Sequence, residues 1–568
     1  MKEEIQADPK AEKKAGKKKG IAGKIFQGLL IFLLVLLVIF HRPLIVAIRS
    51  VVGMGILEKG SEGLSYVPQS LSREQMLEDL DALYRNVCTE SPVREQAEKY
   101  LKLDYDALYA SYRSRIENCR DEYEFCALLT AFMAKLPGAH DSIKPPMDDM
   151  NRANGFPVGT ELGFHGIRET NYAYWTQFED RMWSYTQKCA VASNYGGDYV
   201  ILDYDCGNGM IDEIVGGKII SLNGETMPEA LKTIDTIHHL GYDARNDCLR
   251  VTQIFFNDAI GEKYDACIEM PDGSIVERDL YISPEFSLAM QFRKSIYPDH
   301  DAASKEGDES ASETTQKKGY SIETDPERKL IYIEAKSCNY ADTEPVAEEL
   351  AQAIESIDAE NIIIDLKNNG GGDSTFVTEG LCKAVLEGEG GWMSTAVYPR
   401  TEVTALFCDN PLYSLEAEFR KQKDSFVCVS DERVAGEAKK HLNIYVLVSG
   451  RTFSSGDICA GILAKVEGIT LIGENTKGEG FTGSPLVYFL PNSRIAYSFT
   501  CSVSEECPEN NYLGTVPDIY CPDRWEDWLK QEELFDEGIS SEALGTYEYR
   551  LLWDQTLIEA IRIIDGGK

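Results

Sequence analysis

The spacing of apolar positions changes along the chain, and each change marks a region. An unbroken apolar run, Ile25 to Phe40, has Gln27 as its only polar side chain. From Leu71 the pattern turns helical. Ser72 with Gln75 three residues on spells a capping box, and Leu77, Leu80, Leu83, Tyr84 and Val87 then share one helical face. A second helix over EYEFCALLTAFMAKL aligns Phe125, Leu128, Leu129, Phe132 and Leu136 and stops at Pro137-Gly138. Directly after that stop comes Ala139-His140-Asp141-Ser142. Residues 157–290 carry short β-like runs (Tyr199 to Leu202, Lys218 to Leu222, Ala266 to Met270) separated by Gly and Asp turns. The stretch DAASKEGDESASETTQKK is polar and reads as a linker or loop.

From residue 319 strands and helices alternate. KLIYIEA, NIIIDLK and NIYVLVSG are Ile/Val-rich strands. EPVAEELAQAIESI and TFVTEGLCKAVL are amphipathic helices between them. This order predicts a sheet of parallel strands covered by helices. VYFL and RIAYSFTCSV then form a hairpin, and YRLLWDQTLIEAIRII reads as one amphipathic packing helix. The pivotal stretch is Asn443 to Asn475: strand, turn, helix, strand. The turn holds Thr452, Ser454 and Ser455. A hydroxyl there sits at the positive end of a helix, a fit place for a nucleophile, although Ser and Thr before a helix are also ordinary N-caps.

The chain has 568 residues, too many for one core, so roughly two to four domains are expected. Its net charge of −37 argues against a nucleic-acid partner. The charge is uneven: residues 1–24 hold eight Lys against four acidic residues, and only Arg42 and Arg49 closely follow the apolar run. The positive-inside rule then places the N-terminus in the cytoplasm and the body beyond His41 outside, anchored by one span at 25–41; a cleaved signal peptide is the alternative. The fifteen cysteines contain no CxxC pair, so the usual zinc and thioredoxin spacings are absent; Cys501, Cys507 and Cys521 lie near enough in sequence for pairing to be considered. No metal or organic cofactor is implied.

Two Gly-rich loops invite a phosphate reading. GEGFTG matches GxGxxG, but a strand rather than a helix follows, which rules out the dinucleotide site. NNGGGDST lies between strand and helix without the Lys-Ser/Thr ending of a P-loop; its N–H groups suit an oxyanion. Of the seven histidines, His140 is the one at a helix end beside Gly, Asp and Ser.

Five pieces in order then carry a resemblance: KLPGAHDS after helices, IIIDLKNNGGG, GRTFSSGD, LIGENTKGEG with LPNS soon after, and GTVPDIY before the last helix. Together they resemble the C-terminal processing, or tail-specific, serine peptidases and their tricorn-core-like relatives. The resemblance implies an α/β fold with a crotonase-like catalytic core over 319–568. Before it come a basic tail (1–24), the anchor (25–41), a juxtamembrane linker (42–70), a helical subdomain (71–156), a degenerate PDZ-like β-rich module (157–290) suggested by GGKIISLNGET, and a linker (291–318). It places the nucleophile on Ser454 and the oxyanion donors on Ser455 with Gly371 or Gly372. The lysine of the Ser-Lys branch falls on Glu479, and Lys477, two residues away, is an alternative base. The Ser-His branch puts its base on His140, with a third residue near Asn511 or Glu509. A histidine accepts a serine proton at neutral pH more readily than a lysine that must first be desolvated, so Ser454 with His140 is preferred. The expected protein is a membrane-anchored extracytoplasmic serine endopeptidase acting on protein or peptide substrates. The rival expectation is an inactive homologue that binds peptides or an apolar ligand.

Overall fold

A computed structural model describes residues 70–143, 177–178, 180–182, 190–203, 212–236, 238–257, 260–296, 318–388, 394–408, 419–430, 436–483, 485–493 and 495–566. The basic tail, the apolar run Ile25 to Phe40 and most of the 291–318 linker lie outside them. Among the described residues no helix is long and apolar enough to cross a membrane.

The helical subdomain opens as its spelling requires. Ser72 and Gln75 complete the capping box, and helix Arg73–Tyr84 buries Leu80 and Leu83. Two helices that the apolar pattern did not announce follow, Arg94–Leu101 and Tyr105–Glu117. Their buried faces are thin: Ala97 and Leu101 in one, Tyr105, Tyr112 and Ile116 in the other. Helix Glu122–Met133 is the hub. Asp121 caps it, and every residue from Phe125 to Met133 is buried.

The C-terminal half is built on a six-stranded sheet in the order Tyr320–Asp325, Leu330–Ala335, Asn361–Asp365, Asn443–Val448, Ile469–Gly473, Ile519–Tyr520. The first pair is antiparallel and the rest are parallel. Alternate residues serve opposite faces. Ile331, Ile333, Ile362, Ile364, Ile444, Val446 and Val448 pack under the helices that include Ser455–Leu463. Tyr332, Ile363, Leu447 and Ile472 pack against the C-terminal helix. Both faces are covered, which explains the continuous apolar spelling of these strands.

Two expectations need correction. The helix after NNGGGDST is wound as a π-helix over Phe376–Cys382 before a short α-turn. The final helix is not one piece of plain packing. It breaks into Tyr547–Arg550 and Gln555–Ile564, with Asp554 capping the second through Leu557 N. Asp554 is buried and paired with Lys367 and Arg550, and Arg550 also meets Glu334 and Asp365. A buried charge cluster, illegible as a hydrophobic pattern, sets the break.

The β-rich module is an antiparallel sheet ordered Gln253–Phe256, Ala190–Tyr195, Asp198–Asp203, Lys218–Leu222, Glu262–Glu269, Ile275–Ile282. Asn223 and Gly224 both take positive φ (51° and 78°) after Lys218–Leu222, as the Asn-Gly turn predicts. One small sheet joins the halves. The strand Ser142–Ile143, just past the helical subdomain, pairs with Ala496–Phe499 of the predicted hairpin, Ser142 opposite Ser498. Cys507 and Cys521 are free thiols, so the pairing considered between these two does not occur.

Candidate active site

Ser454 sits where the Asn443–Val448 strand hands over to helix Ser455–Leu463. Its backbone takes φ 54° and ψ −124°, a conformation that side-chain-bearing residues rarely adopt and that costs roughly 1–3 kcal/mol. Its side chain makes no capping hydrogen bond. The ordinary N-cap explanation for this serine therefore fails.

The surrounding turn holds the strain. Phe453 N donates to Asn369 O (2.9 Å), Ser454 N to Gly478 O (3.1 Å) and Gly456 N to Phe453 O (3.0 Å). The hydroxyls beside Ser454 have structural partners: Thr452 Oγ1 donates to Leu366 O at 2.8 Å and Ser455 Oγ to Gly372 O at 2.7 Å. Only Ser454 aims its hydroxyl at a base. His140 Nε2 lies 3.2 Å from Ser454 Oγ, across 314 residues of sequence. The β-pairing of Ser142–Ile143 delivers that histidine, and Ser498 Oγ donates to His140 O at 2.7 Å.

The residue behind the histidine is Glu479. Its Oε2 accepts a short hydrogen bond from His140 Nδ1. A carboxylate in that position fixes the proton on Nδ1 and leaves a lone pair on Nε2 for the serine hydroxyl. The Glu479 side chain is fully buried. It accepts further bonds from Ala139 N (2.7 Å), His140 N (2.9 Å), Thr500 Oγ1 (3.1 Å to Oε1) and Asn511 Nδ2 (3.3 Å). Burial pushes this carboxyl upward, but the charge and hydrogen bond of His140, with the Ala139 N–H, outweigh it and hold Glu479 below the ordinary range.

Its loop is clamped by Asp457 in the first turn of the nucleophile helix. Asp457 accepts from Gly480 N (3.1 Å), Asn510 Nδ2 (2.9 Å) and Thr515 Oγ1 (2.7 Å), and also from Thr476 Oγ1. Glu479 itself has φ 57°. Gly478 beside it admits no Cβ, which would stand 2.0 Å from Asn510 O.

The structure thus corrects the expected third residue. Glu509 lies on the surface, half exposed, and pairs with Lys99 at 3.0 Å. Asn511 reaches Glu479 rather than the imidazole. Glu479 stands at the position where the Ser-Lys branch has its lysine, and its place between two glycines is the signal the sequence offers. Lys477 makes no hydrogen bond to Ser454 among the described residues. Its Nζ lies over the Phe453 ring, 4.9 Å from the centroid, and burial pushes its pKa down to about 8.

The two glycines of the facing loop divide their work. A Cβ on Gly371 would stand 2.6 Å from Ser454 Cβ, so this position must be glycine for the loop to lie against the nucleophile. Gly371 N is already engaged by Asn369 Oδ1 at 2.8 Å. Among the described residues, no acceptor takes the N–H of Gly372 or of Ser455. These two donors are unspent. No group of His, Cys, Asp and Glu among the described residues is arranged to hold a metal ion.

A serine strained at a strand-to-helix turn, a histidine on its hydroxyl and a buried carboxylate behind the ring make up the working parts of a serine hydrolase. Residues 329–520 match the model of peptidase family S41, and this region is that of an S41 serine peptidase, a hydrolase. No curated protein gives a match. Among solved structures, mature CPAF is similar at 15% identity over 87% of this chain and 98% of that one, with a TM-score of 0.46. The photosystem II D1 C-terminal processing protease gives 11% identity over 79% and 92%, with a TM-score of 0.33. The tricorn protease gives 13% over 82% of this chain and 37% of its own, with a TM-score of 0.32.

Proposed function

We propose that this peptidase cleaves within protein chains through a Ser454–His140–Glu479 triad, from a body held outside the cytoplasm by the apolar run Ile25 to Phe40. Ser454 Oγ attacks the peptide carbonyl while His140 Nε2 takes its proton. The imidazolium then protonates the leaving amine, and the same ring activates the water that hydrolyses the acyl-enzyme. Glu479 holds the Nδ1 proton and stabilises the charged ring. The oxyanion takes the N–H groups of Gly372 and Ser455, at the positive end of helix Ser455–Leu463. Gly371 contributes close approach rather than a hydrogen bond.

One observation carries the reading: His140 Nε2 is within hydrogen-bond reach of Ser454 Oγ at 3.2 Å while Nδ1 is held by a buried carboxylate. The catalytic half is taken as crotonase-like, and the antiparallel sheet with its Asn223-Gly224 turn as the PDZ-like module. The eight Lys before the apolar run support a cytoplasmic N-terminus.

A fluorophosphonate probe tests both parts. It should label the full chain and not the Ser454→Ala variant. A membrane-impermeant version should label intact cells that express the full chain. Equal labelling of wild type and Ser454→Ala removes Ser454 from its role. Labelling only after cells are broken removes the extracytoplasmic placement.

A further inference from the structure

Lys477 is singled out by the sequence, yet the triad leaves it without a task. It stands two residues before Glu479 on the same loop. It shares the Phe453 ring with the base: Lys477 Nζ is 4.9 Å from the Phe453 centroid, and the His140 ring centroid is 4.5 Å from the same ring. Among the described residues Lys477 forms no ion pair.

Behind the triad, Lys477 lines a small cavity with Ala139, Tyr242, Arg250, Asn511 and Tyr512, with room for about one water molecule. Pro137 and Leu240 make part of its wall apolar, but two polar groups on it are unsatisfied. Asn511 Oδ1 and the Tyr512 hydroxyl are buried and make no hydrogen bond among the described residues. Asn511 and Tyr512 are only 4% and 6% exposed. Leaving such atoms unpaired is destabilising. The Asn511 amide cannot be turned to solve this. Its Nδ2 donates to Glu479 Oε1 at 3.3 Å, and the flipped amide would set oxygen against a carboxylate. An ammonium donor, an amide acceptor and a hydroxyl around a water-sized space form a set that one bridging water satisfies.

We propose that Lys477 is a positioning residue of the triad, acting through a water shared with Asn511 and Tyr512, and so through the Asn511 amide, on the Glu479 carboxylate that holds His140. The proposal rests on the Ser454–His140–Glu479 reading. Every hydrogen bond in the chain runs from cation to anion. Lys477 donates to the water, the water to Asn511 Oδ1, and Asn511 Nδ2 to Glu479. Each donor is polarised in the sense that strengthens the next bond. The lysine thus serves the carboxylate instead of the serine.

The charged and titratable groups around Lys477 set when this works. Glu479 and Glu474 come from its own loop, Arg250 from the module, and Arg451 and Asp523 line the cleft on its other side. His238 and His239 are held neutral by burial and by Lys477 itself, pushed down to about 4 and about 3. Burial pushes Lys477 down, against the attraction of Glu479 and with the repulsion of Arg250, to about 8. Its charge is therefore present at neutral pH and lost just above it.

The test is the rate at which a fluorophosphonate labels Ser454 in the full chain, measured against pH. In the wild type the rate should fall about five- to tenfold through a midpoint near 8 as the ammonium is lost. Lys477→Arg, charged throughout, should keep the neutral-pH rate into the alkaline range. Lys477→Met should show, already at neutral pH, the low rate the wild type reaches only in alkali. A purely structural lysine would change thermal stability without moving this limb. A wild-type rate that stays flat or rises from neutral pH to about two units above it overturns the inference, and no variant has to fold for that result. Absence of labelling in the wild type, or equal labelling of Ser454→Ala, overturns the triad reading instead.

Discussion

The two halves of the proposed active site are built in opposite ways. The nucleophile half is local: Ser454, its helix and the Gly371–Gly372 loop hang from neighbouring parallel strands of one sheet, Asn361–Asp365 and Asn443–Val448. The acid–base half is assembled at a distance. His140 arrives at the end of the helical subdomain and Glu479 from a loop 339 residues later, and the two meet through a two-residue strand pairing and a web of hydrogen bonds onto one carboxylate. Strain is stored in the first half and desolvated charge in the second. The first half should therefore fail sterically and the second electrostatically, and substitutions can separate the two modes.

The largest effect is expected from the distant half. Glu479→Gln keeps the volume of the side chain and removes its charge. A carboxamide can present its NH2 to Nδ1, which reverses the tautomer and takes the lone pair away from Ser454. Serine labelling should drop about 10³- to 10⁴-fold with the protein still folded. A loss under about tenfold would show that Glu479 only braces the loop. The local half should break more gently. Gly371→Ala introduces a Cβ 2.6 Å from Ser454 Cβ and 2.9 Å from Phe453 O, at a φ of 98°. Labelling should fall about 10²-fold through displacement of the Gly372 donor, with a loss of roughly 1–3 kcal/mol in stability. If stability falls and labelling does not, the loop can move away without harm and Gly372 is not the oxyanion donor.

This contrast also decides what the sequence discloses. The local half was legible almost to the residue. The strand Asn443–Val448, the turn and the following helix are all written as apolar periodicity with a hydroxyl between them. The distant half was legible only where a motif marked it, as with His140 after Pro137-Gly138. Glu479 was not, because its meaning depends on which histidine folds against it, and its family position pointed to a base rather than a partner. Buried charge escapes periodicity for the same reason. Lys367, Arg550 and Asp554 read as a strand end and an amphipathic helix until the sheet brings them together. The β-pairing that carries His140 to Ser454 is two residues long, too short to be recognised in any stretch of sequence.

The smallest expected effect sharpens the picture of the distant half, because two buried carboxylates there, on separate loops, have opposite leanings. Glu479 is held below its ordinary range. Asp141, which accepts from Gly138 N at 2.8 Å and Thr500 N at 2.7 Å, is pushed well above its own by burial and by the nearby Glu479. Linkage gives the two opposite signs. A carboxyl lowered on folding contributes stability that is complete above its unfolded pKa, near 4.5 for Glu479, and is lost as pH falls through the folded value. A carboxyl raised on folding contributes stability that is complete below its unfolded pKa, near 3.8 for Asp141, and is lost as pH rises through the folded value. The Tm deficit of Glu479→Gln against wild type should therefore shrink as pH drops below about 4.5, whereas that of Asp141→Asn should shrink as pH rises from about 4 toward neutrality. Thermal melts of the two variants across that range should show slopes of opposite sign. Parallel slopes would mean that the two carboxyls share one environment, and that Glu479 owes nothing of its ionisation to the imidazole beside it.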